Sequence, residues 1–156
     1  MSKYWSPTVR NLEPYIPGEQ PQDRKYIKLN TNESPYPPSP LVVEAIRQAA
    51  GESLRLYPDP NCLELRQAIA DYYDLGPEQV FVGNGSDEVL AFAFQAFFDP
   101  RQTIVFPEIT YTFYPVYANL YGLNYQTIAQ GDDFRIAPEP YCSGTAGGII
   151  LANPNS

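Results

Sequence analysis

Histidine is absent from this chain. That excludes zinc sites built on imidazole and triads that pass a proton through His. Lysine is scarce, occurring only at Lys3, Lys25 and Lys28, all in the first fifth of the chain. The two cysteines, Cys62 and Cys142, lie far apart and match no metal-ligand spacing. No apolar run approaches the roughly 20 residues of a membrane-spanning helix. The opening MSKYWSPTVRNLEPY lacks the apolar stretch of a secretory signal, so a cytoplasmic location is expected. Positive charge is also in short supply. The formal net charge is −8, and no basic patch interrupts it, so neither nucleic acid nor an anionic membrane is an expected partner.

What is present is a globular composition, with 44% hydrophobic residues, enough to exclude a disordered chain. There are 17 prolines, about twice the usual share of roughly 5%. Many fall in residues 1–38, which show no helical period and read as an extended arm. Tyr26 to Leu29 is a candidate short strand within it. The 13 tyrosines need hydroxyl partners where buried, which suits either a polar pocket or ordinary core packing.

From residue 39 the pattern changes. Ser39-Pro40 is a cap-plus-first-turn signal, and Val42, Ile46 and Ala49 then share a helical face. A second helix follows Asn61, with Leu65, Ala68, Ile69 and Tyr72 in phase and Gly76-Pro77 as the stop. Val80 to Val82 is an apolar run that reads as a strand, followed by a glycine turn and a helix carrying Leu90, Ala93, Phe94 and Phe97. Thr103 to Phe106 reads as a strand. Tyr114, Tyr117, Ala118 and Tyr121 form a helical face ending at Gly122. Tyr125 to Ile128 is a candidate strand, residues 130–147 form a loop, and Ile149 to Ala152 is a buried-strand run. Alternating strands and helices predict an α/β fold with a mainly parallel sheet. A last parallel strand is normally covered by a following helix, so the sheet reads as unfinished.

Three loops follow predicted strand ends. In VFVGNGSDE (80–88) the glycines allow a tight turn into a helix N-terminus, where free N–H groups favour an anion. Ser86 adds a hydroxyl and suits the helix cap. This is neither the dinucleotide fingerprint, since Glu88 replaces the third Gly, nor a P-loop, since no Lys follows. On these residues alone, an ordinary capped turn accounts for the pattern equally well. Tyr111 follows a second strand and offers an aromatic face. Asn153 to Ser156 follows a third. Ligands of parallel sheets bind beyond the carboxyl ends of strands, so the three loops converge on one candidate site.

Taken together, NLEPYIPGEQP (11–21), IKLNTNESPYPPSP (27–40), LYPDP (56–60), VFVGNGSDE (80–88), PEITYTFY (107–114) and LANPNS (151–156) resemble the histidinol-phosphate aminotransferases in order and spacing. Each piece is unspecific, and the combination is specific. The PYxPG and NTNESPY elements favour this family over the related threonine-phosphate decarboxylases. The resemblance implies an enzyme of pyridoxal-phosphate (PLP) fold type I, with an N-terminal arm and part of the small domain in residues 1–38 and the first part of the PLP-binding large domain in 39–156. It implies that Gly85, Ser86 and Asp87 hold the cofactor phosphate, that Tyr111 stacks on the pyridine ring, and that Asn155 bonds the 3′-oxygen. Tyr57 matches a tyrosine reaching the partner subunit's cofactor phosphate, which implies a homodimer. Tyr15 and Asn32 match residues beside a small phosphorylated amino-acid substrate.

In that family the catalytic lysine, the acid facing the pyridine nitrogen and the arginine for the substrate carboxylate all lie downstream of residue 156. The expectation is therefore an N-terminal part of a histidinol-phosphate transaminase, inactive alone. The competing expectations are a non-catalytic module that binds a phosphorylated ligand or a complementary fragment, and a piece of a threonine-phosphate decarboxylase. A nucleotide-binding α/β module fits less well, because its glycine fingerprint is incomplete.

Overall fold

The structure is a computed structural model that describes residues 3–13 and 18–155. The described chain forms two compact units, residues 18–82 and residues 3–13 with 83–155. The candidate Tyr15 lies outside the described residues, and so does Ser156 of the last motif.

In residues 18–82 the helices start where local chemistry dictates. Helix α2 (Pro40–Ala49) has Ser39 at its cap, the hydroxyl accepting from the Leu41 N–H at 3.3 Å, and Pro40 at its first position. Helix α3 (Leu63–Tyr73) is launched by Asp59 of the LYPDP motif. The Asp59 carboxylate accepts from the N–H groups of Leu63 at 2.7 Å and Asn61 at 3.0 Å. Those two bonds, Leu63's first, hold the Asp59 carboxyl below its ordinary value of 3.8. The helix ends at Asp74, which takes the left-handed conformation, two residues ahead of the expected Gly76-Pro77 stop. The Arg66 guanidinium then reaches forward to the Pro77 carbonyl and ties the following turn back to α3.

The expected strands at 26–29 and 80–82 do not form. A strand needs a partner edge to satisfy its N–H and C=O groups. Neither run joins a sheet among the described residues, and Phe81 is 63% exposed. Among the described residues the arm turns at Thr31 and Asn32, whose φ values are +62° and +54°, and holds one short helix. Pro7–Arg10 makes a one-turn helix, α1, with the Ser6 hydroxyl accepting from the Val9 N–H at 3.2 Å. Ser6-Pro7 is the same cap signal as Ser39-Pro40.

Residues 83–155 hold the sheet. Helix α4 (Gly85–Phe97) leads to strand β1 (Thr103–Pro107), helix α5 (Tyr114–Leu120), strand β2 (Asn124–Ile128) and strand β3 (Gly148–Ile149). The order is β2-β1-β3 and both pairings are parallel. Thr103 pairs with Asn124 through to Pro107 with Ile128, and Ile104 and Val105 pair with Gly148 and Ile149. β1 is thus central, and its four residues after Thr103 are buried, as a strand covered on both faces requires. Phe94 of α4 and Tyr114, Tyr117 and Ala118 of α5 pack with Ile104, Phe106 and Leu123 in one core.

Helix α5 ends as expected at Gly122, whose φ is +65°. The Leu123 N–H donates to the Ala118 carbonyl at 2.8 Å and the Gly122 N–H to Asn119 at 3.3 Å, a Schellman closure with Leu123 turned into the core. β3 is shorter than the 149–152 run suggested, although the Ile150 N–H still donates to the Val105 carbonyl at 3.0 Å. Nothing among the described residues pairs its outer edge, and Ile149 and Leu151 are 43% and 49% exposed. Gly148 is required at its position by contact, since a Cβ there would run into the Phe98 ring at the end of α4.

Two outcomes follow. Gly148→Val should lower stability by about 1–3 kcal/mol, because Phe98 must leave its place, and denaturant unfolding checks this. Asp59→Ala should lower the melting temperature, with Asp59→Asn less harmful because it keeps an acceptor. The folded carboxyl titrates below 3.8. The Asp59 contribution is therefore full above that pH and is lost as pH falls through the lower folded value; melting of wild type and Asp59→Ala should converge there.

Candidate active site

The first turn of α4 is built by two glycines with different duties. Gly85 has φ +82°, which a residue with a Cβ adopts only at a cost, and its N–H donates to the Gly83 carbonyl at 3.1 Å. Gly83 sits close under the helix, where a Cβ would crowd Glu88 and Val89 at 3.0 Å. The helix cap is Asn84, not Ser86, which occupies the second helical position. The start is set by Glu88, whose carboxylate accepts from the Asn84 N–H at 2.5 Å. No side chain caps the helix. Helix geometry leaves the amides of Ser86 and Asp87 without intrahelical acceptors, and residues 83–88 are exposed.

The loop after β1 meets this turn, and the loop after β3 is bonded to the loop after β1. The Tyr111 hydroxyl donates to the Asp87 carboxylate at 2.5 Å, and the Tyr117 hydroxyl donates to the Asp87 carbonyl at 2.9 Å. The Thr110 hydroxyl donates to the Asn155 Oδ1 at 2.9 Å, and the Asn155 Nδ2 donates to the Ile109 carbonyl at 2.8 Å. The Tyr111 ring lies stacked on Phe113 at 6.0 Å and meets Tyr114 edge-on at 5.6 Å. Burial, assisted by the Asp87 charge and hydrogen bond, pushes the Tyr117 hydroxyl up to about 12, so it remains a proton donor at neutral pH.

The structure therefore brings Gly85, Ser86, Asp87, Tyr111 and Asn155 together within one unit. Asn32 and Tyr57 belong to the other unit, where Asn32 has φ +54° and Tyr57 is fully exposed. Sequence reasoning missed Thr110, Tyr117 and Gln130. Tyr117 had a signal, since a tyrosine on a buried helical face needs a hydroxyl partner. Gln130 had none.

The family model "Aminotransferase class I and II" matches residues 24–156. The chain belongs to the class I and II aminotransferases. Over all 156 residues this aminotransferase chain is 58% identical to the histidinol-phosphate aminotransferase of Clostridium acetobutylicum and 57% identical to that of Clostridium beijerinckii. It spans 44% and 43% of those two relatives' lengths. Among solved structures it is similar to the histidinol-phosphate aminotransferase from Sinorhizobium meliloti in complex with pyridoxal-5′-phosphate. The TM-score is 0.78 at 24% identity, over 100% of this chain and 44% of that one. A tetra mutant of the Thermus thermophilus aspartate aminotransferase also gives 0.78, at 20% identity, over 99% of this chain and 43% of that one. The α/β, mainly parallel fold expected from the sequence is thus the fold of the matched parts of these aminotransferases.

The raised Tyr117 value sets an alkaline limit. The folded aminotransferase chain keeps this proton to about pH 12, whereas an unperturbed tyrosine releases it at 10.0. Stability should therefore fall between pH 10 and 12, and Tyr117→Phe should shallow that fall; unfolding midpoints measured across this range check it.

Proposed function

We propose that this chain forms the phosphate cup and ring-stacking wall of a PLP-dependent histidinol-phosphate aminotransferase. The observation that carries the reading is the 2.5 Å bond from Tyr111 to Asp87, which ties an aromatic ring to an uncapped helix N-terminus beyond a parallel strand. The 58% identity to the Clostridium acetobutylicum relative, sustained over the whole chain, supports the substrate class.

The residues present fit the cofactor. The amides of Ser86 and Asp87 and the Ser86 hydroxyl would hold the phosphate, aided by the helix dipole. Gly85 makes the turn and leaves open space where a Cβ would stand. The Tyr111 ring would offer the pyridine ring an aromatic face. Asn155 has a second amide hydrogen beyond the one given to Ile109, and this serves the 3′-oxygen. Asp87 is oriented by its two tyrosines rather than by a cation. Bound PLP supplies an electron sink for the pair released at the substrate's α-carbon.

The reaction is amino transfer between L-histidinol phosphate and 2-oxoglutarate, in the cytoplasm, by a homodimer. The family resemblance assigns Tyr57 to the partner subunit's phosphate site, and Tyr15 and Asn32 to the substrate phosphate. Residues 1–38 serve as the arm with part of the small domain, and 39–156 as the first part of the large domain. Lys28 is paired with Glu33, and Lys3 lies over the Tyr4 ring at 5.1 Å. Among the described residues, none of the three lysines belongs to the hydrogen-bonded group at the cup.

The 156-residue chain should bind PLP saturably, in competition with inorganic phosphate. Ser86→Asp should weaken that binding at least about tenfold through charge repulsion in the cup. Borohydride trapping with mass spectrometry should give no single fully labelled lysine, and an assay with L-histidinol phosphate should give no turnover. PLP binding indifferent to Ser86→Asp would sink the cup. Stoichiometric labelling of one lysine together with turnover would overturn the assignment of the amine.

A further inference from the structure

The Tyr111 ring packs against the core, but the exposed backbone just ahead of it, at Glu108 and Ile109, is held by polar contacts. Ladder β1–β2 ends at the pair Pro107 and Ile128, with one more rung from the Glu108 N–H to the Ile128 carbonyl at 2.9 Å. Beyond it the backbones part. Ile109, the next residue, is 52% exposed, so its side chain anchors little. Both of its main-chain groups are nonetheless satisfied, by a single side chain. The Gln130 Oε1 accepts from the Ile109 N–H at 2.9 Å, and the Gln130 Nε2 donates to the Ile109 carbonyl at 2.7 Å. The planar amide does what the next residue of a neighbouring strand would do, and carries the ladder one residue past the end of β2.

The Ile109 carbonyl is also the acceptor for the Asn155 Nδ2 at 2.8 Å, and Asn155 in turn accepts from Thr110 at 2.9 Å. Gln130 and Asn155 thus converge on one oxygen from the loops after β2 and β3. Two residues further along, Tyr111 is fastened to Asp87. The loop 108–111 is pinned from three elements, and Gln130 is the only one of the three contacts that holds both polar groups of its target.

We propose that Gln130 is a positioning residue for the cofactor ring. It sets the height of Tyr111 above the sheet and the orientation of the Asn155 amide. This rests on the reading of Tyr111 and Asn155 as the residues that face the pyridine ring.

The test uses the complete gene product with PLP, and compares Gln130→Leu, Gln130→Glu and Tyr111→Leu. Gln130→Leu should weaken PLP binding roughly three- to tenfold, the worth of one or two hydrogen bonds. It should also reduce the visible circular dichroism induced in the bound cofactor and speed exchange of the Ile109 amide hydrogen, while the melting temperature of the cofactor-free protein stays near wild type. Gln130→Glu keeps the acceptor for the Ile109 N–H but places a carboxylate against the Ile109 carbonyl. It should behave like Gln130→Leu at pH 7.5 and recover toward wild type only as the pH falls to about 4.3 and below, the ordinary glutamic-acid range, where a protonated carboxyl can donate.

Tyr111→Leu separates the two ideas. If it weakens PLP binding and Gln130→Leu leaves binding and dichroism unchanged, the Gln130 role is overturned and the Tyr111 reading stands. If Tyr111→Leu leaves PLP binding unchanged, both fall. A Gln130→Leu protein that melts well below wild type without cofactor, with no change in dichroism per bound PLP, shows a structural residue only and overturns the proposal.

Discussion

Burial of β1 on both faces and pairing on both edges is the constraint from which the site hangs. Ile104 and Phe106 are shut into the core against α4 and α5, and Val105 is buried as well. β1 has neighbours on either side, and that fixes where its carboxyl end emerges. Pro107 is the last residue of β1, and the Glu108 N–H adds one further rung to the Ile128 carbonyl before the backbones part. Everything that follows, from Glu108 to Phe113, is released at one place and aimed at the first turn of α4. The same core fixes α4 itself, since Phe94 packs on Tyr114 and Tyr117 at centroid separations of 6.0 and 5.2 Å. A helix start and a strand end are thereby held in a common frame before any polar contact is made.

The polar contacts then refine that frame, and they do so mainly with uncharged groups. Tyrosine hydroxyls orient Asp87, and side-chain amides from Gln130 and Asn155 hold Ile109. No basic residue belongs to this network. Hydrogen bonds between neutral groups are individually modest, about 0.5–1.5 kcal/mol net, but they are directional and position their partners. That suits a wall whose task is to present N–H groups and a flat ring.

The elements around the candidate site were legible in the sequence as far as local chemistry reaches. Ser39-Pro40 announced α2, the glycine turn announced the start of α4, and Gly122 announced the end of α5, because each depends on backbone conformation within a few residues. The buried run at 103–106 identified the central strand. Where reading failed, the missing information was a partner. Val80 to Val82 and Tyr26 to Leu29 have strand composition, yet composition supplies no neighbouring edge. Ser86 looked like the cap because it is a good cap residue, but Glu88 reached back to Asn84 and moved the helix start.

The sequence by itself determined the α/β alternation, the family, and the residue types at the ends of three strands. These follow from periodicity and from motifs confined to short stretches. Only the tertiary structure decided that Tyr111 and Tyr117 both spend their hydroxyls on Asp87, and that Gln130 extends a ladder its own strand has left. Those bonds span 24, 30 and 21 residues of chain. Nothing local sets such a pairing; it is fixed by which strand lies beside which and how far each continues.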